Sequence, residues 1–226
     1  MQKILKSKII LLVTVTVLLL SATFKSKAQA EFGMRIMPTF SALNLKNSNG
    51  IFYKGKATVG IGFAALLGYN FSDNVGVEGD IIFNTMVQKY EDQGVENKIN
   101  LRYINIPLLI AVNTGKTKMV NLNLVVGPQF GFRVGSTLTT TGNNGNNFPV
   151  PVLLVKKNDI GLAYGGGLQF GLNESNTTHL DIGYRGVYGL IDISDNSKTT
   201  ATNSYYILDR THTKTNAVYL GVSFLF

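Results

Sequence analysis

The sequence predicts an all-β protein, an eight-stranded antiparallel up-and-down transmembrane β-barrel preceded by an export signal. Three observations lead there. Apolar residues recur at every second position in eight segments, the links between those segments alternate between short and long, and charges stay off the apolar rows. Together these are the marks of a barrel with lipid outside and a polar interior.

The export signal comes first in the chain. The 226 residues carry 21 Lys plus Arg against 13 Asp plus Glu, a formal charge of +8. A surplus of that size raises the question of nucleic acid or an anionic surface. Its position answers the question: Lys3, Lys6, Lys8, Lys25 and Lys27 fall within the first 30 residues, which hold no acid, so 16 basic residues face 13 acidic ones beyond Ala30. No nucleic-acid partner is expected. Lys3, Lys6 and Lys8 precede the uncharged run 9 to 23, and Ala28 and Ala30 place small residues at the two positions a signal peptidase reads. Residues 1 to 30 therefore read as a cleaved secretory signal. A retained helix is the alternative, but the apolar stretch 9 to 20 is 12 residues, whereas crossing hydrocarbon takes about 20. The remaining residues, 31 to 226, form one domain. Without a cysteine the chain has no disulfide, no thiolate metal site and no residue to carry an N-terminal lipid. No metal or cofactor is expected.

No stretch after residue 30 sustains a helical repeat, and glycines interrupt the apolar segments where a helix would be penalised. The eight segments alternate as strands do. In 32 to 41, Phe32, Met34, Ile36 and Phe40 oppose Gly33, Arg35, Thr39 and Ser41. In 60 to 71, Ile61, Phe63, Ala65, Leu67, Tyr69 and Phe71 oppose mostly glycine and alanine. In 75 to 88, Val75, Val77, Ile81, Phe83 and Val87 oppose Glu78, Asp80, Asn84 and Gln88. The segment 101 to 112 is the least regular: Arg102 begins the row Ile104, Ile106, Leu108, Ile110, Val112. The run 120 to 135 is the longest, with Val120, Leu122, Leu124, Val126, Phe130, Phe132 and Val134 against Asn121, Asn123, Gly127, Gln129, Gly131 and Arg133. The segments 159 to 172 and 179 to 191 follow the same rule, with Asp159, Gln169, His179, Asp181 and Arg185 on the small parity. The last segment, 218 to 226, has Val218, Leu220, Val222, Phe224 and Phe226 on its apolar parity. Pro38, Pro107 and Pro128 lack a ladder donor and are expected at bulges or strand ends.

The links 72 to 74, 113 to 119 and 173 to 178 are short, and 42 to 59, 89 to 100, 136 to 158 and 192 to 217 are long and polar. An up-and-down meander then has tight turns at one end and four loops at the other, as outer-membrane barrels have at their periplasmic and outer ends. A soluble lipocalin-like barrel would turn the apolar parity inward and carry Lys, Glu and Thr outside. Here the other parity is Gly, Ala, Asn and Gln, with Arg35, Glu78, Asp80, Arg133, Asp159, Asp181 and Arg185 on it and only Arg102 on the apolar rows. A charge facing the bilayer midplane costs roughly 2 to 4 kcal/mol, falling to about 0 to 1 at the interfaces. Arg102 leaves a long loop, so it sits at an interface.

Inside the barrel, Arg35, Arg133 and Arg185 balance Glu78, Asp80 and Asp181, with Arg133 expected nearer the outer rim and the other five in the lower to middle part. They are read as a lumenal salt-bridge plug in preference to a binding or gating site, because an unpaired charge in a confined lumen is costly. Eight strands enclose a lumen that side chains about fill, so a diffusion pore is not expected. Nor is catalysis: His179 opens a strand at the short-turn end and His212 lies in the last long loop, a barrel height apart. The pair His179 and Asp181 is read as structural. Gly60 and Gly62 mimic a dinucleotide fingerprint, but no helix follows. Outward Tyr69, Phe71, Phe130, Phe132, Tyr164, Phe170, Tyr184 and Tyr188 form an aromatic girdle. Loop 136 to 158 contains the apolar stretch Pro149-Val150-Pro151-Val152-Leu153-Leu154-Val155, expected to continue a strand past the membrane. The four loops are the place for any protein partner of a monomeric barrel.

The terminal Val218, Leu220, Val222, Phe224 and Phe226 resemble the recognition strand of barrels inserted by the barrel assembly machinery. With Phe32-Gly33-Met34-Arg35, Tyr103-Ile104-Asn105-Ile106-Pro107-Leu108-Leu109 and Gly127-Pro128-Gln129, residues 31 to 226 resemble the PorT-like outer-membrane β-barrel family of Bacteroidetes. The resemblance implies an outer-membrane location amid lipid and lipopolysaccharide. Many relatives carry a porin label, and the name-giving member belongs to the type IX secretion apparatus. It therefore implies a stand-alone barrel, a narrow channel or a component of a secretion or surface-assembly complex. Protease added to intact cells is expected to cut within 142 to 158 and to spare 173 to 178; the reverse pattern refutes this orientation.

Overall fold

The structure is a computed structural model that describes residues 29–42, 44–46, 52–54, 56–92, 95–141, 150–152, 155–195, 204–206 and 212–226. The export signal, with Ala28, lies outside the described residues. The strands are β1 (Gln29–Ala42), β2 (Asn44–Lys46), β3 (Phe52–Lys54), β4 (Lys56–Asn70), β5 (Val75–Asp92), β6 (Val95–Asn113), β7 (Val120–Thr141), β8 (Val150–Val152), β9 (Asn158–Gly171), β10 (Thr178–Gly189), β11 (Ser204–Tyr206) and β12 (Lys214–Leu225). Eight of them close an antiparallel barrel in the order β1-β12-β10-β9-β7-β6-β5-β4. Closure is made where Glu31 pairs with Leu225 and Ile36 with Leu220. Short β2 and β3 form an antiparallel pair, and β8 and β11 a parallel one.

The alternation read from the sequence is the physical division of the wall. Met34, Ile61, Phe63, Leu67, Ile81, Leu124, Leu162 and Leu220 are exposed on the outer face, while their neighbours Arg35, Ala64, Leu66, Asp80, Val125, Ala163 and Tyr219 are buried in the lumen. Lumenal glycines accept the larger inward side chains. An added Cβ on Gly167 or Gly183 would collide with the phenol of Tyr219, so these positions leave the space that ring occupies. Two clusters of buried apolar side chains share the lumen: Met37, Ala64, Ile82, Ala217 and Tyr219 in one, and Leu109, Ala111, Val125, Ala163 and Val187 in the other.

Three expectations are corrected. First, β5 runs to Asp92 and β6 starts at Val95, so much of the long link 89 to 100 is an extension of the wall, with Glu91 paired to Glu96. Beyond the hydrocarbon a strand still pairs its backbone but no longer needs an apolar outer row, so hydrogen bonding continues after the pattern stops. Second, Val150–Val152 does not continue a barrel strand: β8 pairs in parallel with β11, from the last long loop, outside the barrel sheet. Third, the prolines lie within strands and shift no register. Around Pro38 the β1–β12 partners pass from Ile36–Leu220 to Thr39–Ala217, whereas Pro38 itself pairs with Ile61 of β4. Around Pro107 the β5–β6 partners pass from Gly79–Leu108 to Ile82–Asn105, and opposite Pro128 the β6–β7 partners pass from Pro107–Gln129 to Ile110–Val126. A residue in an antiparallel sheet donates its N–H toward only one of its two neighbours, so each proline interrupts one ladder locally and leaves the other whole.

The two register shifts among the described residues are bulges toward the long-loop end. One lies in β4 between Ala57 and Gly62, where Gly60 approaches the Thr85 carbonyl so closely that no Cβ fits. The other lies in β7: Gly135 pairs with Arg102 and Arg133 with Tyr103, so Val134 is the additional residue. At the opposite end the turns are tied by their own side chains. Ser72 Oγ accepts the amides of Asn74 and Val75, Asn173 Oδ1 accepts those of Thr177 and Thr178, and Asn176 takes the left-handed conformation at φ 50°.

Candidate functional site in the barrel lumen

Inward positions on β1, β5 and β10 bring five charges together near mid-height. Arg35 Nη1 donates to Asp80 Oδ1 at 3.3 Å and its Nη2 to Asp181 Oδ2 at 3.3 Å, while Arg185 Nη1 donates to Asp80 Oδ2 at 3.0 Å. Glu78 Oε2 lies 3.7 Å from Arg35 Nη1. Asp80 thus joins two guanidinium groups from β1 and β10, the strands that flank β12, and from β5 it reaches Arg185 four places round the ring. The Arg35 guanidinium also lies over the Tyr219 ring, 4.7 Å from its centroid, and Ser223 donates its hydroxyl proton to Asp181 Oδ1. All five charged residues are buried. Low dielectric strengthens each attraction and makes each partner costly to lose.

Beneath this group the turn between β6 and β7 sends a side chain into the barrel. Lys116 is fully buried, with Nζ 2.8 Å from Glu31 Oε2, 3.0 Å from Gln169 Oε1 and 4.0 Å from Glu78 Oε1. A ring of amides completes the floor. Asn121 Nδ2 donates to Gln169 Oε1 at 2.7 Å and to Asn113 Oδ1 at 2.9 Å, and Asn123 Nδ2 donates to Glu78 Oε1 at 2.8 Å. Gln169 Nε2 and Asn70 Nδ2 both donate to the Glu31 carboxylate, at 3.4 Å. One connected polar layer therefore crosses the short-turn end of the lumen, with Glu78 linking it to the arginines above.

Of the six charges expected to pair, Arg133 stands apart. It is partly exposed toward the long-loop end, where its Nη1 donates to Ser136 Oγ at 2.9 Å and its Nε to the Lys156 carbonyl at 3.4 Å. The β7 bulge begins immediately after it, and the chain there serves the rim. Lys116 joins the lumenal charges as a third cation, and Glu31 as a fourth acid. Neither was legible. Glu31 shares the parity of Arg35 but lies at the edge of the alternating run, and a turn lysine ordinarily points to water. The inward amides Asn121, Asn123 and Gln169 were visible on the small parity. Nearer the outer end, Asp159 is buried and accepts the Thr213 hydroxyl at 2.7 Å. His179 is buried at the start of β10 and His212 is exposed just before β12, so the two histidines do not meet. Val218, Leu220, Phe224 and Phe226 are exposed and Val222 half-exposed on the outer face of β12, whose end is held by the Phe226 amide donating to the Ala30 carbonyl at 2.9 Å.

A closed barrel with an apolar exterior, a paired interior and short turns at one end is the architecture of an outer-membrane protein. Residues 24–195 match the family model of the outer membrane protein β-barrel domain. The chain belongs to that family. Among solved structures, this outer-membrane barrel is similar to OprG of Pseudomonas aeruginosa, at 14% identity and a TM-score of 0.53 over 89% of this chain and 97% of that one. It also matches Neisserial surface protein A, at 14% identity and 0.46 over 86% and 97% of the two chains, and Ail, the attachment invasion locus protein of Yersinia pestis, at 16% and 0.39 over 87% and 99%. At such identities the likeness to OprG speaks for the fold alone. No curated protein matches the chain.

Lys116→Met removes the cation between Glu31 and Glu78 and leaves buried carboxylates without it, a change expected to destabilise the barrel by about 3 to 5 kcal/mol. Lys118→Ala, on the exposed side of the same turn, leaves the midpoint in place. Urea unfolding in lipid vesicles measures both, and equal midpoints for the two variants would refute the floor as a stabilising element.

Proposed function

We propose that this outer-membrane barrel is a monomer closed to solutes, acting as a structural or partner-binding element through its outer loops and not as a catalyst. The observation that carries this is the occupied lumen: Arg35, Asp80 and Arg185 bridge it near mid-height and Lys116 reaches Glu31 across its floor. A solute would have to break buried ion pairs to pass. With the interior committed to packing, what the molecule offers its surroundings is its wall, to lipid and lipopolysaccharide, and its four loops.

The same reading covers its biogenesis. Residues 1 to 30 are removed after export, Ala28 and Ala30 being read by the peptidase, and the alternate apolar residues Val218 to Phe226 are read by the barrel assembly machinery. The motifs at 32 to 35, 103 to 109 and 127 to 129 resemble those of PorT-like barrels of Bacteroidetes, a likeness that supports service in a secretion or surface-assembly complex as the second reading.

In planar bilayers the purified barrel is expected to show no steady conductance; large, persistent open steps would overturn the closed lumen. Affinity purification from outer membranes is expected to bring down no partner in stoichiometric amount. A stoichiometric companion would replace the stand-alone barrel with a component of a larger assembly.

A further inference from the structure

The outer row of β6 changes character at one residue. Ile110, Leu108, Ile106 and Ile104 are apolar, and Arg102 is the next outward residue toward the long-loop end, exposed to the lipid side. Among the described residues Arg102 makes no hydrogen bond and no ion pair. A lone arginine near a bilayer surface ordinarily extends along its strand into water. Arg102 instead lies across the neighbouring strand: a Cβ added to Gly135 of β7 would be 2.8 Å from its Nε, 2.9 Å from its Nη2 and 3.0 Å from its Cζ.

The seat is made by the bulge. Below it the pairs run Tyr103–Arg133 and Ile104–Phe132, and the same register carried one step further would set Val134 opposite Arg102. The additional residue sets Gly135 there instead, removing the side chain that would hold the guanidinium off the wall. Bulges re-aim side chains in this way at functional positions. Asn100 and then Lys98 follow on the same outer row, with Lys98 exposed about 13 Å beyond Arg102 at strand spacing. Beyond Lys98 the outer row ends at exposed Glu96, which is paired with Lys89 at 2.9 Å. The short turns expose Asp73 and Glu174, and their Lys118 is tied to the Thr114 carbonyl.

We propose that Arg102 on its Gly135 seat, with Lys98 above it, is a binding site for the phosphate of an outer-leaflet glycolipid of the lipid A type. The inference rests on the outer-membrane orientation given above, in which the long-loop end faces the lipopolysaccharide leaflet. A guanidinium seated on the wall offers a fork of donors to two phosphate oxygens. The position selects the source: the site lies on the lipid-facing wall immediately above the apolar band, where acyl chains bring a phosphate to this depth and a free ion gains nothing from the wall.

The test is native mass spectrometry of the folded mature barrel in neutral detergent, titrated with diphosphoryl lipid A, with heat-modifiable gel mobility reporting folding. Arg102→Ala is expected to weaken binding roughly tenfold, the size of one lost charge-assisted contact. Gly135→Val, which keeps the charge and removes the seat, is expected to do the same, whereas Arg102→Lys retains part of the affinity and Lys118→Ala all of it. Should Arg102→Ala fail to fold, Gly135→Val and Arg102→Lys decide the matter. Binding of wild-type strength in Gly135→Val and Arg102→Ala would overturn the site. Equal binding of phosphatidylglycerol would overturn the glycolipid assignment, and displacement of lipid A by millimolar inorganic phosphate would overturn the lipid source.

Discussion

Hydrocarbon offers no hydrogen-bond partner, so each backbone amide and carbonyl that enters it must be paired within the protein, and a sheet achieves this only by closing on itself. From that requirement the rest follows. The first and last barrel strands must meet, which they do from Glu31–Leu225 to Ala42–Lys214. The wall must be apolar outside, and a closed ring of eight strands then leaves an interior too narrow for bulk water but surrounded by the opposite parity of every strand. The prolines show how strictly the requirement is met. Each stands where one ladder is locally open while the proline itself keeps its partner in the other, Pro38 with Ile61, Pro107 with Gln129 and Pro128 with Leu162, so closure survives with its register intact.

The interior solves a different problem. Side chains that face a narrow lumen lose water without gaining lipid, so polar groups there need one another. Small residues make room, as Gly167 and Gly183 do for Tyr219. Charges are arranged so that acids and bases alternate in space: Asp80 between Arg35 and Arg185, Glu78 between Arg35 and Lys116. Outward and inward faces thus obey separate rules on the same strands, and the single-residue step between them keeps the two sets apart.

How much of this was legible follows from where each rule applies. The alternation at 60 to 71, 120 to 135 and 159 to 172 could be read because lipid enforces it, and β4, β7 and β9 contain nearly all of those residues. The parity of Arg35, Glu78, Asp80, Asp181 and Arg185 gave their inward direction. Beyond the hydrocarbon the rule lapses, which hid the extended β5–β6 hairpin and the starts of β6 and β12. Lys116 was hidden because a turn has no parity. Arg133 precedes the β7 bulge and keeps the inward parity and the place near the outer rim that the alternation gives it, whereas one inserted residue, Val134, reverses the facing of everything after it. Which acid meets which arginine depends on the stagger of strands around the ring, a property of no single segment.

The tie between Lys116 and Glu31 has a mechanical side. In the ring order, β1 stands four places from β7 by either route, so a turn beside β7 that grips β1 spans the diameter of the cylinder. A tube of hydrogen-bonded strands resists stretching around its circumference but yields to ovalisation, since flattening bends the sheet without breaking ladders. A tie-rod across the diameter opposes that mode directly. It also joins β1, the first of the described strands, to a hairpin from the middle of the chain. It therefore cannot be set until the cylinder around it is round.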